Sequence, residues 1–262
     1  MTQISIMKFI LVFFISISSF FITNAQNVES CFQENESLEF KVKYLSFNFS
    51  NASLNIKKET LNNKPVYHII GSGTSSSFLS LFFKVDDHYE TYIDTETFLP
   101  YKFVRNINEG GYKKNIIIDF DQDAKLATVN DYKRNTTKVF NTTTNTVHDM
   151  VSSFYFLRNH IDSSNLKVGD ENSLNMFFDN ENYTFKLRFL GKETIRTKYG
   201  KKNCLVFRPL VMADRVFKEE ESLTVWISDD KNKIPLKISA DLAVGSITAS
   251  LSKYSGLKHP FN

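Results

Sequence analysis

The chain has few of the residues that punctuate or staple a structure. Its 262 residues include 9 glycines, 5 prolines, 2 cysteines and 1 tryptophan. Two cysteines are too few for the disulfide scaffold of a small secreted domain. Beyond residue 25, no stretch reaches the about 20 apolar residues that a membrane helix needs, so no transmembrane segment is expected there. Formal charge is nearly balanced at +3, with neither a basic stripe nor an acidic tail, which argues against a nucleic-acid partner.

Catalytic and metal signatures are missing too. His68, His88, His148, His160 and His259 show no HxxxH or HxH spacing, so no metal is expected. Asp119, Asp121 and Asp123 imitate the start of a calcium loop. Ala124, however, stands where the sharp-turn glycine belongs, and Asn130 where the bidentate glutamate would sit. No GxSxG elbow is present, and Gly71-Ser72-Gly73 lacks the Lys-Ser/Thr of a phosphate loop. The expectation is a non-enzymatic protein without a cofactor.

What the chain does have is aromatic residues, above all 25 phenylalanines, and a phrase written twice. Tyr92-Ile93-Asp94, running through Leu99-Pro100-Tyr101-Lys102, recurs as Trp226-Ile227-Ser228, running through Ile234-Pro235-Leu236-Lys237 with one extra turn residue. Each copy is an aromatic-led strand, a polar turn and a proline, Pro100 or Pro235, that opens the next strand. There a missing N–H costs no ladder bond. Two similar hairpins imply an antiparallel β protein.

Period-2 alternation supports this along the whole chain. Leu38, Phe40, Val42 and Tyr44 share one face, and Glu39, Lys41 and Lys43 the other. Further strands are expected at 49–56, 66–70, 85–93, 101–108, 112–120, 125–129 and 137–140. After a break they resume at 175–179, 183–190, 203–209, 223–228, 234–240 and 246–254. The break is one helix, predicted over Val147–Ile161, with Met150, Phe154, Leu157 and Ile161 as its apolar stripe. Thr146 and Asp149 have the spacing of a capping box, and Arg158 and His160 complement the C-terminal dipole. A lone amphipathic helix among many strands is expected to fill the concave face of a curved sheet.

At the N-terminus, Lys8, the apolar run Phe9–Ile22 and Thr23-Asn24-Ala25 form a secretory signal pattern over residues 1–25. That leaves residues 26–262 as a single β-barrel-like domain. Cys31 and Cys204 then enter a disulfide-permissive compartment. Paired, they would close a loop of about 170 residues worth about 5 kcal/mol; unpaired, one would be a buried thiol and the other mobile. Phe78-Leu79-Ser80-Leu81-Phe82-Phe83 neither alternates cleanly nor has the length of a helix. Phe78, Leu79, Leu81, Phe82 and Phe83 are therefore either a plug at one barrel mouth or a flap lining an apolar cavity.

Four motifs, in order, carry a resemblance: Phe40-x-Val42-x-Tyr44; Asp149-x-x-Ser152-x-x-Tyr155-x-x-Arg158; Val225-Trp226-Ile227-Ser228-Asp229-Asp230 with Pro235; and Val244-Gly245-Ser246-Ile247. Together they resemble an uncharacterised exported bacterial family, domain of unknown function 3108. The family's usual Gly-Glu pair before the first strand is here Glu36-Ser37, a departure read as affecting only a turn. The resemblance implies export to the periplasm or cell envelope and makes Asp149, Tyr155, Arg158 and Trp226 marker positions. These are read physically as anchors of the helix to the sheet, Arg158 needing a carboxylate or several carbonyls. The Trp-Ile-Ser…Pro hairpin is also similar to one in the lipoprotein-localisation carrier fold, a half-open barrel that implies an apolar pocket.

The expected fold is thus mainly β, an antiparallel curved sheet or half-open barrel around one central amphipathic helix. The expected function is binding of an apolar or lipid-like ligand within the envelope. Alternatives are an assembly or scaffold module binding another envelope protein and, third, an unrecognised hydrolase.

Overall fold

Alternating apolar and polar side chains can bury one face only if the chain pairs as a sheet, and this chain does so almost throughout. The computed structural model describes residues 30–45, 47–76, 80, 84–210, 223–242 and 244–261. The first half is a meander of β1 (Ser37–Tyr44), β2 (Phe47–Leu61), β3 (Lys64–Ser75), β4 (Asp86–Asp94), β5 (Pro100–Glu109), β6 (Tyr112–Asp121), β7 (Leu126–Asp131) and β8 (Thr136–Asn141). A two-residue strand, β9 (Val147–His148), then leads into helix α1 (Met150–His160). The second half is β10 (Glu171–Phe178), β11 (Glu181–Thr197), β12 (Gly200–Leu210), β13 (Leu223–Ser228), β14 (Pro235–Asp241) and β15 (Ser246–Ser255).

All 15 strands form one sheet, in the order β8 to β1, then β15 down to β9, so the first and last strands meet in the middle. Every pair is antiparallel except β9 with β10. The sheet is open, with β8 and β9 as its edges. Side chains bridge the gap: the Gln122 amide donates to the Val147 carbonyl at 2.9 Å and accepts from the Val147 N–H at 3.1 Å. One glutamine thus reproduces the exchange of a ladder pair.

The repeated phrase folds the same way twice. Pro100 opens β5 opposite Ile93, and Pro235 opens β14 opposite Ile227, each with a register shift just after the aromatic residue. In each turn one aspartate oxygen caps two backbone N–H groups, Asp94 those of Glu96 and Thr97, and Asp230 those of Asn232 and Lys233. Phe98 and Lys233 end the turns in the left-handed region.

Helix α1 lies inside the curved sheet and packs against two clusters of its strands. Val151 and Tyr155 join a cluster with Ile69, Ile93, Phe103, Ile118 and Phe177, while Leu157 and Ile161 join Leu174, Leu187, Leu205 and Phe207. The helix is shorter than its periodicity predicts, because Val147 and His148 pair with β10. The capping box also differs from Thr146–Asp149. Asp149 is itself the N-cap, accepting from Val151 and Ser152 N–H at 2.7 and 2.9 Å, and the Ser152 hydroxyl accepts from the Asp149 N–H.

Antiparallel pairing sends hairpin turns alternately to two ends of the sheet. The base carries turns β2–β3, β4–β5, β6–β7, β11–β12 and β13–β14, the segment before β1 and the tail after β15; the rim carries the others. The base is sealed. Phe32 packs edge-on against Tyr67, Phe98 and Tyr155, with ring centroids 4.9–5.7 Å apart. The Cys31 N–H donates to Asn159 at 2.8 Å, and Lys258 donates to the Ser30 carbonyl at 2.8 Å. Gly256 is required there: at φ 64°, a Cβ would fall 2.1 Å from the Asn35 carbonyl oxygen.

Below this seal lies a fully buried ion pair. Arg158 donates to Glu36 Oε1 and Oε2 at 2.7 and 3.1 Å and to the Asn232 carbonyl at 2.8 Å. Burial alone would lower the Arg158 pKa, but the adjacent Glu36 carboxylate outweighs it and holds the guanidinium charged. Glu36 therefore does more than shape a turn, which is how its position before β1 reads from sequence.

The expected Cys31–Cys204 bridge is absent: both thiols are free and buried in different clusters. Cys31 sits against the helix, and Cys204 packs with Leu38, Ile234 and Leu236. Alkylation of the unfolded chain without reductant should therefore add two adducts by intact mass, whereas a bridged chain would add none. Arg158→Met or Glu36→Gln should each cost about 3–5 kcal/mol in urea unfolding, because each strands a buried charge. Arg158→Met combined with Glu36→Met should recover most of that loss. Additive losses in the double variant would show that the pair does not act as a unit.

Candidate functional site

The helix stripe read from sequence as core faces a cavity. Met150, Phe154, Leu157 and Ile161 form one wall of a half-open cavity of about 530 Å³. Opposite them stand residues of alternate position on five strands: Met176 and Phe178 of β10, Phe185 and Leu187 of β11, Leu205 and Phe207 of β12, Val225 and Ile227 of β13, and Ile238 of β14. Leu54 of β2 completes the enclosure. The period-2 pattern of each strand is what points these side chains inward. Leu157 and Ile161 are buried, whereas Met150 is 39% exposed.

Most polar atoms on the lining have partners, although the buried Arg158 Nε has none. The Ser153 hydroxyl donates to the Met150 carbonyl, Arg158 is held by Glu36 and Asn232, and the Lys233 ammonium donates to the Ile161 carbonyl at the helix C-terminus. The lining is thus predominantly apolar. Among the described residues no group of three or more His, Cys, Asp or Glu side chains could hold a metal ion.

The marker positions separate into two sets. Asp149, Tyr155 and Arg158 do anchor the helix. Asp149 Oδ2 accepts from the Thr91 hydroxyl of β4 at 2.6 Å, and the fully buried Tyr155 ring packs edge-on against Phe32 at 4.9 Å. Trp226 does not: it lies on the face of β13 opposite Val225 and Ile227. Its Nε1 donates to Glu193 at 2.7 Å and Lys237 sits 4.2 Å from its ring, so it stiffens the outer surface. Phe78, Leu79, Leu81, Phe82 and Phe83 lie outside the described residues, as do residues 1–25.

Two neighbouring buried groups titrate abnormally and in opposite senses. Burial raises the Asp149 pKa to about 6 against the hydrogen bonds from Thr91, Ser152 and Val151. Burial, helped by the charge of His160, lowers the His148 pKa to about 4.

Residues 39–252 match the family described as "Protein of unknown function (DUF3108)". The chain belongs to this family. No curated protein matches it. Among solved structures it is similar to a β-barrel-like protein of domain of unknown function DUF1849 from Brucella abortus, at 8% identity and a TM-score of 0.56. That match covers 87% of this chain and 100% of the other, and it supports the barrel-like fold alone. A protein with a YmcC-like fold from Bacteroides fragilis aligns over 86% of this chain and 97% of its own, at 8% identity. Its TM-score of 0.34 is too low to carry an argument.

The paired shifts give a sharp pH test. Asp149 contributes stability that is fully present below its ordinary pKa of 3.8 and lost as pH rises through about 6. His148 contributes stability present above its ordinary 6.5 and lost as pH falls through about 4. Between pH 4 and 6 the two slopes offset in the parent. Relative to the parent, His148→Asn should lose about 3 kcal/mol on going from pH 4 to 6, and Asp149→Asn should gain about as much. Urea unfolding at each pH reads this; parallel pH profiles for all three proteins would refute it.

Proposed function

We propose that this protein binds an apolar or lipid-like molecule, non-catalytically, in the cavity between helix α1 and strands β10–β14. The observation that carries the reading is the cavity itself. Its 530 Å³ falls within the 300–1,000 Å³ usual for ligand sites. A methylene takes roughly the ~30 Å³ liquid volume of a water, so the space suits one long acyl chain or a compact ring system.

The composition of the lining supports the same reading. Four large apolar residues of an interior helix contribute to an unfilled wall when the surrounding sheet could have collapsed onto them. Apolar surface left open in this way usually marks an interaction site. Because the lining is predominantly apolar, an occupant would be held mainly by burial and shape. The leader-like N-terminus supports action after export, in the cell envelope.

The direct test is mass spectrometry of protein purified gently from its native source, with the native spectrum compared with an organic extract. A stoichiometric apolar molecule is the expected result. In parallel, Phe154→Ser and Ile227→Ser should each weaken binding of N-phenyl-1-naphthylamine by roughly tenfold, the loss expected when a large side chain's apolar contact is removed. Trp226→Phe, one residue from Ile227 but on the opposite face, should leave binding unchanged. A clean unliganded mass together with no dye binding would sink the reading.

A further inference from the structure

The two ends of the sheet differ in a way that ligand binding does not explain. Turn tips are ordinarily polar, with Gly, Asn and Asp supplying the special backbone angles. On the rim the tips carry large apolar side chains. Leu45 and Phe47 flank the β1–β2 turn at 56% and 75% exposure, and Leu242 and Val244 lie in the β14–β15 connection at 39% and 73%. Tyr112 starts β6 at 56%, and Tyr132 lies in the β7–β8 turn at 60%. Among the described residues, six of the ten exposed large apolar side chains thus sit on rim turns of one end.

Backbone geometry shows that these residues are held in place. Leu45 adopts φ 53°, a left-handed conformation unfavourable for a bulky side chain and needless if an asparagine or glycine would serve. Its side chain lies over Gly245, where a Cβ would come within 2.6 Å of Leu45 Cδ2. The Leu45 N–H donates to the Ser246 carbonyl at 3.1 Å, and the Tyr44 hydroxyl to the Val244 carbonyl at 3.1 Å. Two neighbouring turns are therefore locked together with their apolar side chains outward. Exposed cations Lys43, Lys84, Lys113, Lys133 and Arg134 stand among the tips, against the exposed acids Asp179, Glu181 and Asp241, of which Asp179 is already paired with Arg105 and Lys114.

We propose that the rim docks on a lipid bilayer bearing anionic headgroups, inserting Leu45, Phe47 and Val244 at the boundary between headgroups and acyl chains. The adjoining β1–β2 and β14–β15 tips, with Lys43 beside them, match that boundary, where short side chains reach the hydrocarbon edge and ammonium groups remain among phosphates. A protein partner would instead need a continuous complementary surface. Docking does not depend on the cavity being filled, so it stands or falls independently of the ligand reading. If both hold, the cavity lies on the membrane side, because Pro209 and Leu223, at the rim ends of β12 and β13, line it.

The test uses the full-length protein with a tryptophan placed at Phe47→Trp or, as a control of equal exposure at the base end, at Val168→Trp, the parent's Trp226 emission being subtracted. Vesicles contain equal parts phosphatidylcholine and phosphatidylglycerol with brominated acyl chains. Quenching at position 47 and not at 168 is expected, weaker with phosphatidylcholine alone and at raised salt. Adding Leu45→Ser and Val244→Ser should lower vesicle affinity roughly tenfold or more without moving the unfolding midpoint downward. Equal quenching at both positions, or none at 47, overturns the proposal. A position-47 emission that shifts with protein concentration in the absence of vesicles also overturns it, in favour of a second copy covering the rim.

Discussion

The structure turns on a single buried ion pair. A helix enclosed by sheet has no solvent to receive a guanidinium, so Arg158 can occupy its position only if a carboxylate and a carbonyl are brought to it. Glu36 comes from the segment before β1 and the Asn232 carbonyl from the β13–β14 turn. Meeting that demand draws the N-terminal segment, the helix and the second copy of the repeated hairpin into one place. The first copy contributes as well, since Phe98 packs on Phe32 and lies 6.3 Å from the His160 ring. The duplicated phrase thereby grips the C-terminal end of the helix from two sides. Such a pair adds little net stability over an apolar one, but it penalises every other placement of the helix.

Placing the clamp at the base leaves the rim as the end where the molecule can be open. Polar groups concentrate where segments must interlock, and the upper part of the helix meets an apolar space. The same periodicity that builds the core of β10–β14 also builds the cavity wall. Only the absence of a facing side chain distinguishes one from the other.

That is why the strands were legible in the sequence and the site was not. Alternation in Leu38–Tyr44 and in the two proline-opened hairpins is a local property, and the structure follows it. The helix stripe of Met150, Phe154, Leu157 and Ile161 was equally visible, yet periodicity reports which face is apolar and not what stands opposite. Glu36 was hidden because its partner is 122 residues away and nothing local marks a glutamate before a strand as buried. Trp226 misled through its prominence, since a hairpin motif fixes a face only after the register is known. The cysteine bridge failed for the same reason: residues far apart in sequence carry no information about the distance between them. The capping box slipped by one turn because Val147 and His148, which have helical spacing with the stripe, are taken by β10.

The central pairing of β1 with β15 has a kinetic consequence. A ribosome delivers strands in order, and each half of the sheet can zip up from its own hairpins as it appears. The join between halves must wait for β15, whose Ser252 hydroxyl donates to the carbonyl of Glu39 of β1, 213 residues earlier. Contacts this distant in sequence are slow to form and set the pace of folding. Until β15 arrives, β1 is left as an open edge, the kind of unpaired strand that invites association with other chains.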